Sequence, residues 1–397
     1  MANSTLTIDM VTREALRVAH EKAQFIGTVD RQYDSSFANT GAKTGASLRV
    51  RKPNQYIRRQ GSRVMNVQDQ TEASGTITVA TQDGVDMRFN SAELALSIDD
   101  FSKRYIEPAM SVLVSGIESD FLAFATKAVW NVAGTAGTGI TTLTVPGAAR
   151  AKLNQGLAPK DGNRFVQMDS VTMGGMVEGL KGLFQDSSQI KEQYREGMIG
   201  RTGMADWYEN ERLWTMTMGS DVDSVTINDA GFVSGDTVVT ITGSTGHAVG
   251  QVVTFAGCKA VHAETKAVFP HLQQFVITAV SGNDITISPT PVTSGATQNV
   301  NAMPSNGAAV TFVGVNSASY IQPLMYHKEA FQFVTADLPL MDDSIKCVRR
   351  TQDGLSMRVW QGSDIVNDNL LMRIDILYGM AALRPEWACR LVGAAAA

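Results

Sequence analysis

Few side chains in this sequence of 397 residues have the types and spacing that support chemistry. The segment GlyAlaLysThrGlyAla at 41–46 has the composition of a phosphate-binding loop, but Ala42 stands where a glycine should precede the lysine. Asp221 and Asp223 alternate as in a calcium-binding loop, yet a threonine and a phenylalanine occupy the positions where that loop needs Gly and Glu. Neither segment predicts a phosphate or calcium site.

Histidine and cysteine side chains give no stronger indication of a reaction. The five histidines are not spaced as metal ligands, and the three cysteines are far apart without a CxxC pair. They are His20, His247, His262, His271, His327, Cys258, Cys347 and Cys389. The charged stretches 83–89 and 99–108 are more typical of solvated faces or ion pairs than of acid/base pairs. We therefore expect no catalytic residue, no cofactor, no metal and no enzyme activity.

A run of cations lies between Lys43 and Arg63, without an acidic residue among them. These residues are Lys43, Arg49, Arg51, Lys52, Arg58, Arg59 and Arg63. Three interpretations remain open: a solvated loop, a charged contact between subunits, and a contact with DNA. The formal net charge of -5 argues against a protein whose main task is to coat nucleic acid, because neutralising phosphates requires a basic surface.

The segment that carries these cations is itself unusual. Leu48–Arg51 is predicted as a short strand, and it leads into Pro53–Thr78, which is rich in Arg, Gln, Ser and Gly and has few apolar residues at any fixed period. A loop of this length is uncommon in a compact monomer unless it has a function. It is better explained as an arm that contacts another chain.

Helical periodicity surrounds this loop. Apolar residues in Thr12–Ile26 predict a helical arm, and Pro108 predicts the first turn of a longer helix. That helix carries an apolar stripe of Leu113, Ile117, Phe121, Phe124 and Ala128 and is predicted to end near Gly134. Roughly 25 helical residues span about 37 Å, which suits the spine of a flat subunit.

The rest of the chain is mixed. In 140–217 the pattern predicts a strand at Leu143–Val145, helices at Ala148–Gln155 and Met173–Phe184, and a strand at Trp214–Met218. From Gly219 to about Gly314 the composition turns to Thr, Val, Gly and Ser with β-branched alternation, and SerGlyAsnAsp at 281–284 predicts a hairpin. We interpret 219–314 as an inserted all-β module. Strands are again predicted at Leu355–Trp360 and Asn369–Tyr378.

Localisation signals are lacking in the sequence. Its first residues do not combine a basic stretch with an apolar run, and no window reaches 18 unbroken apolar residues. We expect synthesis in a reducing bacterial cytoplasm, without secretion by that route and without a membrane span.

Three stretches together resemble the coat proteins of the P22-like bacteriophages, a family with the HK97-type capsid fold. The first is the ArgLysPro and IleArgArg region with AlaLeuSerIleAspAspPheSerLysArgTyrIleGluProAla at 95–109. The second combines GlyGlnValValThrPheAlaGly at 250–257 with the segments 274–280 and 285–292. The third is ArgIleAspIleLeuTyrGlyMetAlaAlaLeuArgProGlu at 373–386. The similarity extends over most of the chain in the right order, with its weakest part at 140–217.

The resemblance implies an α+β fold of the HK97-like capsid type with an inserted all-β accessory domain. It divides the chain into an N-terminal arm (1–45), an extended loop with its strands (46–95), a peripheral-domain spine helix (96–134), an axial and peripheral segment (135–218), the inserted β domain (219–314) and the completion of both domains (315–397). In such shells the extended loop lies against a neighbouring subunit. Asp99, Asp100 and Glu107 are then candidate acidic counterparts of the basic cluster.

The same resemblance implies a major capsid protein of the virion that assembles into pentamers and hexamers of an icosahedral shell. Its expected partners are further copies of itself, a scaffolding protein, a portal protein, a decoration protein and weakly held packaged double-stranded DNA. Assembly would pass through a scaffold-dependent procapsid that expands on packaging, with hinges such as the Gly-rich 134–139. The alternatives are another virion structural protein, such as a decoration or tail-tube subunit, and an oligomeric enzyme of unknown chemistry.

Overall fold

The helices and strands follow most of the predicted pattern. The structure is a computed structural model that describes residues 8–31, 46–61, 63–65, 67–68, 72–90, 102–180, 200–220, 223–243, 246–340, 346–352, 354–364 and 369–393. The helices are α1 (Ile8–Lys22), α2 (Phe25–Thr28), α3 (Glu107–Ala128), α4 (Thr144–Gln155) and α5 (Ser170–Leu180). A π-helical turn, Ser102–Ile106, leads into α3.

Strands make up much of the remaining described chain. They are β1 (Ala46–Arg51), β2 (Ser74–Asn90), β3 (Val132–Gly134), β4 (Arg164–Met168), β5 (Arg201–Thr202), β6 (Ala205–Glu209), β7 (Thr215–Thr217), β8 (Val238–Thr240), β9 (Val252–Val261), β10 (Val268–Ser281), β11 (Asp284–Ser288), β12 (Val310–Phe312), β13 (Ser319–Ile321), β14 (Leu324–His327), β15 (Phe331–Ala336), β16 (Lys346–Gln352), β17 (Leu355–Asp364), β18 (Asn369–Ala382) and β19 (Ala388–Val392). The fold is therefore α+β.

The chain forms two compact units. The first contains Met1–Val50, Ser74–Phe121 and Phe331–Leu383, and the second contains Arg51–Ala73, Leu122–Ala330 and Arg384–Ala397. Each unit is assembled from segments that are distant in sequence. Its core therefore depends on long-range contacts.

The first unit is built around an antiparallel sheet. Its strand order is β1-β2-β18-β17-β16, and β15 also pairs with β18. The long β2 and β18 pair from Asn369 opposite Asn90 to Gly379 opposite Val79. The ring of Phe121 contacts those of Phe25 and Phe333 in tilted arrangements, with centroid separations of 4.8 and 5.5 Å. These aromatic contacts join α2, α3 and β15 in one core.

A charged group lies inside that sheet. Asp375 is fully buried and accepts hydrogen bonds from Arg358 Nη2 and Arg373 Nε, each at 2.6 Å. Arg358 is only 4% exposed and also donates to the Pro339 carbonyl at 2.8 Å. The carboxylate is thus held by two guanidinium groups, and this compensates for part of the desolvation that burial imposes.

The second unit contains three further sheets. One has the order β12-β9-β10-β11-β8, one is the pair β13-β7, and the third has the order β3-β19-β14-β4-β6-β5. The five-stranded sheet lies within residues 238–312, and its core contains Phe255, Phe275 and Ile285, all with no exposed surface. The predicted hairpin at 281–284 is present, with Ser281 paired to Asp284 across the turn from β10 to β11.

Two predicted elements differ in the structure. The sequence predicts a strand at Leu143–Val145, but α4 begins at Thr144. Pro146 lies in the first turn of α4, where backbone N–H groups have no acceptor within the helix, so the missing N–H of proline costs no hydrogen bond. The spine helix was predicted to end near Gly134, but it ends at Ala128, and Val132–Gly134 forms β3 in parallel pairing with β19. That pairing uses residues more than 250 positions away, so local sequence could not indicate it.

The buried stripe of α3 also differs from the prediction. Leu113, Ile117 and Phe121 are buried as expected, but Phe124 is 37% exposed, and Ala125 lies in the core instead. The predicted helix at Met173–Phe184 is observed as α5, which ends at Leu180; its last four predicted residues lie outside the described residues.

Candidate subunit interface

The extended loop between β1 and β2 carries four of the ten predicted contact residues: Lys52, Arg58, Arg59 and Arg63. At its base, the Lys52 amide donates to the Ala73 carbonyl at 2.8 Å. Further along, the Gln68 side-chain amide bonds to both backbone groups of Ile57, accepting from its N–H at 2.8 Å and donating to its carbonyl at 2.6 Å. These bonds fold the loop back on itself without a hydrophobic core of its own.

The cations of β1 and of the extended loop fall into two groups. Near the base, Arg49 donates to the Ser74 hydroxyl at 2.8 Å, and Arg51 pairs with Glu72 at 3.2 Å. Lys52 is half-buried there. Both partners of the Arg51 pair are at least half exposed, so water screens their attraction and the pair adds little stability.

The second group lies towards the end of the loop. Arg58 donates to the Gln60 side chain at 2.7 Å, and Arg59 donates to the Val64 carbonyl. Within the part of the chain that the structure describes, neither of these residues nor Arg63 has a carboxylate partner. All three are exposed. Their charge is therefore available to an acidic group on another molecule.

Apolar side chains stand beside these cations. Tyr56 is 56% exposed, Val64 76%, Met65 79% and Val67 78%. Exposed apolar residues that cluster with arginine are typical of the parts of a surface that contact another protein. These apolar residues have no periodicity in the chain, so the sequence pattern does not indicate them. The signal that could reveal them is their clustering in one long loop.

The proposed acidic counterparts are only partly described. Glu107 is the first residue of α3 and is half-buried. Lys43 of the basic cluster and the acidic residues Asp99 and Asp100 lie outside the described residues, as does the phosphate-loop-like segment up to Gly45. The pairing of the cluster with these carboxylates stays a prediction.

Ionisable side chains elsewhere serve the fold. Among the described residues, no three His, Cys, Asp or Glu side chains lie close enough to hold a metal ion. His327, which is 1% exposed, donates from Nε2 to Asp161 Oδ1 at 3.0 Å. Burial alone would raise the pKa of Asp161, but hydrogen bonds from Asn163 and His327 outweigh it and hold the pKa at about 2. Burial raises the pKa of both Cys258 and Cys389 to about 12, which keeps these thiols protonated and unreactive.

Among the described residues, one helical stretch is long and apolar enough to span a membrane. Lys103–Ala128 has a mean hydropathy of 1.3 over its most apolar window, but 56% of that window is buried inside the protein. A core helix of a folded domain gives the same result, so this stretch is weak evidence for a membrane span.

These features together describe a protein with a long exposed loop and, among its described residues, no group of His, Cys, Asp or Glu side chains that could hold a metal ion. The comparison with protein families is more specific. Residues 3–393 match the family described as "P22 coat protein - gene protein 5". The chain belongs to this family of phage coat proteins.

Other comparisons accompany this match. A comparison with curated protein sequences returned no match. Among solved structures, a protein of Mycobacterium phage Che8 is 10% identical, with a TM-score of 0.48 and coverage of 93% of this chain and 90% of that one. The capsid of Ralstonia phage GP4 is 6% identical, with a TM-score of 0.47 and coverage of 91% and 86%. The structure titled "CUS-3 coat protein I-domain" is 32% identical, with a TM-score of 0.17 and coverage of 25% and 93%.

Family membership confirms the main prediction from the sequence. The protein is a major capsid protein that forms a phage shell, its place is the virion, and it is a structural protein and not an enzyme. Copies of the chain associate with one another in that shell. The predicted α+β class is confirmed by the helices and strands of the structure.

Proposed function

We propose that the extended loop, residues 51–73, joins each subunit to a neighbouring copy in the shell through its outer cations and exposed apolar residues. The observation that carries this proposal is the combination of Arg58, Arg59 and Arg63, without carboxylate partners among the described residues, with the exposed Val64 and Met65. The exposed apolar side chains are unfavourable in water and are stabilised when another subunit covers them, while the cations gain when that subunit supplies acidic groups.

The energetics support a contact that is weak singly and strong collectively. An exposed ion pair contributes roughly 0–1 kcal/mol, and burial of apolar side chains adds about 25 cal/mol per Å². Each subunit of a closed shell is held at several interfaces at once, so modest contacts produce a stable assembly. Modest contacts also dissociate and re-form, which allows misplaced subunits to leave. The acidic counterparts that we propose are Asp99, Asp100 and Glu107.

The domain assignment follows the same proposal. Residues 1–45 are the N-terminal arm, 46–95 the extended loop and its strands, 96–134 the peripheral-domain segment that contains the spine helix α3 (Glu107–Ala128), 219–314 the inserted domain, and 135–218 with 315–397 complete the axial and peripheral domains. The five-stranded sheet at 238–312 supports an inserted β domain. In the proposed hinge 134–139, Gly134 belongs to β3. We therefore propose that the turn at 135–139 absorbs the conformational differences between subunits in pentamers and in hexamers.

We further propose that assembly uses a scaffolding protein and a portal protein, and that the resulting procapsid expands as double-stranded DNA enters. A decoration protein is a further proposed partner. The net charge of -5 supports weak contact with the packaged DNA, because a strongly basic lining would hold the DNA back. Negative-stain electron microscopy of the protein, alone and with the scaffolding protein encoded beside it, tests this proposal. Shells of hexamers and pentamers are expected, and a uniform small ring or dimer under all conditions contradicts it.

Charge reversal tests the loop contact itself. We expect the double variant Arg58→Glu/Arg59→Glu to reduce shell yield about tenfold or more, because a small loss at each contact is repeated at every subunit of the shell. Sedimentation of the assembly reaction measures this yield, and circular dichroism checks that the free subunit remains folded.

A matched control reverses the same number of charges outside the loop. Lys160 and Lys328 are both exposed, so Lys160→Glu/Lys328→Glu changes the net charge equally. If both double variants lose assembly to the same extent, net charge and not the loop is responsible, and the proposed contact is wrong.

A further inference from the structure

A wide groove lies inside the second unit. It is lined by residues 52–58 of the extended loop, by β10, by residues within 289–299, by the end of α4 and by residues within 384–387, all of which belong to that unit. Its open volume is about 1010 Å³. Pockets for small molecules measure roughly 300–1,000 Å³. The groove is therefore large enough for a segment of another polypeptide.

Lys152, in the last turn of α4, is a half-buried cation in this groove. Its ammonium group has no hydrogen-bond or ion-pair partner among the described residues, and it is not sealed from solvent. Two carboxylates, Glu264 and Glu386, also line the groove, but neither forms an ion pair with Lys152. Burial lowers the pKa of Lys152, as expected for a charge that is removed from water without a counterion. A carboxylate from outside the chain would stabilise this charge.

The surroundings of Lys152 are positively charged. Burial, and then the charge of Lys152, lower the pKa of His271, so this imidazole is neutral at pH 7 and offers no compensation. Lys52, Arg58 and Arg384 line the same groove. Four cations and two carboxylates thus line a groove in a chain whose net charge is -5. The groove is complementary in charge to the acidic remainder of the chain.

Uncharged side chains of the groove suit a polypeptide. Three aromatic residues, Tyr56, Trp130 and Phe269, line it and offer apolar contacts. The side-chain amides of Gln55 and Gln155 have no hydrogen-bond partner among the described residues, and each offers a donor and an acceptor, which a peptide backbone needs. Aromatic residues and arginine are enriched where proteins contact one another. Nucleic acid fits less well, because the two carboxylates repel phosphates.

We infer that this groove binds an acidic segment of a second copy of this chain, with a carboxylate of that copy beside the Lys152 ammonium. Family membership supports a second copy as the occupant, because copies of the chain associate in the shell. A carboxylate beside a half-buried ammonium gains more than an exposed ion pair does, since less water screens the attraction. The contact does not depend on Arg59 and Arg63, which lie outside the groove.

Zero-length cross-linking in assembled shells tests this inference. Shells are assembled from a mixture of isotope-labelled and unlabelled subunits and treated with a carbodiimide, which condenses a lysine amine with a carboxylate in contact with it. We expect mass spectrometry to find Lys152 joined to an Asp or Glu peptide, with labelled and unlabelled peptides combined in the same cross-link. Lys152 cross-links within single isotopes only, or no Lys152 cross-link while other lysines of the shell react, overturn the inference.

Lys152→Met tests the contribution of the contact. Methionine keeps an unbranched apolar side chain of good helix propensity and removes the charge. We expect shell yield to fall about tenfold, because a small loss at each contact is repeated at every subunit. The free subunit should be at least as stable as wild type, since a half-buried charge without a counterion is removed. A free subunit that loses stability shows that the charge is already compensated within the chain, and this counts against the inference.

Lys160→Met is the matched control. Lys160 is exposed and does not line the groove, so this variant removes the same charge and should assemble as wild type does. Sedimentation measures the yield of both variants, and chemical denaturation measures the stability of their free subunits. Equal yields from Lys152→Met and Lys160→Met overturn the inference.

Failure of this inference is distinguishable from failure of the outer-loop contact. If the outer loop contacts no neighbour, trypsin cuts at Arg59 and Arg63 as fast in shells as in free subunits, while Lys152 cross-links between copies still form. Protection of Arg59 and Arg63 in shells without a Lys152 cross-link between copies overturns the groove contact alone.

Discussion

At the scale of single residues, the charges inside the sheets are what the sequence predicted least well. The alternation of Leu355–Trp360 correctly indicated a strand, but Leu355–Val359 is buried on both faces, so Arg358 has no solvent-facing side. Its partner Asp375 lies on the neighbouring strand β18, directly opposite it. Strand register decides this pairing, and register is not visible in the pattern of either strand alone.

Removal of the Asp375 carboxylate tests how much this pairing contributes. Asp375→Ala leaves the buried Arg358 without its counterion, although Arg358 still donates to the Pro339 carbonyl, and we expect a loss of about 3–5 kcal/mol in the free energy of unfolding. Arg358→Met/Asp375→Leu removes both charges and recovers most of that loss. Asp86→Ala is the control, because Asp86 is 78% exposed and lies 3.7 Å from Arg373; it changes stability by no more than about 0.5 kcal/mol. Urea unfolding followed by circular dichroism measures the free energy of unfolding of the three variants. If Asp375→Ala and Asp86→Ala lose the same amount, the buried pair of Arg358 and Asp375 does not contribute as we expect.

At the scale of elements, local periodicity was a good guide to helices and a poor guide to where they end. The start of α3 at Glu107, one residue before Pro108, agrees with the prediction, because proline is favoured in a first turn. The single helix predicted over Thr12–Ile26 is instead α1 and α2, which are separated at Ala23 and Gln24. The carboxylate of Glu118 on α3 explains this break, since it accepts from the backbone N–H groups of Phe25 at 2.7 Å and Ile26 at 3.3 Å.

Glu118 therefore supplies acceptors for the first turn of α2 from a position about 90 residues away. In Glu118→Ala two buried N–H groups lose their acceptor, and we expect a loss of about 1–3 kcal/mol in the free energy of unfolding. Glu118→Gln keeps an oxygen acceptor without the charge and should lose less. Asp120→Asn, an exposed carboxylate two residues further along the same helix, should change stability by no more than about 0.5 kcal/mol. Chemical denaturation provides the comparison, and a Glu118→Ala variant as stable as the control would show that the bonds do not hold α2.

At the scale of the whole molecule, composition and resemblance were more informative than any motif. The Thr- and Val-rich stretch from Gly219 to Gly314 contains all five strands of the sheet at 238–312, because β-branched side chains favour strands irrespective of the surrounding fold. The loop that follows β1 was recognised from its length and charge. Its exposed apolar residues were missed, because an interface is defined by a partner that the single chain does not contain.

Proteolysis of the loop provides a test at this scale that requires no substitution. Arg58, Arg59 and Arg63 are exposed trypsin sites in a loop without a hydrophobic core, so we expect the free subunit to be cut first at these positions. If a neighbouring subunit covers the loop in the shell, cleavage there must await local release of the contact, and its rate should fall at least about tenfold. Mass spectrometry of timed digests locates the cuts. Shells that are dissociated back to subunits should regain the fast cleavage. If the loop is instead cut as fast in intact shells as in free subunits, it lies on an uncovered surface, and its role as a contact between subunits is contradicted.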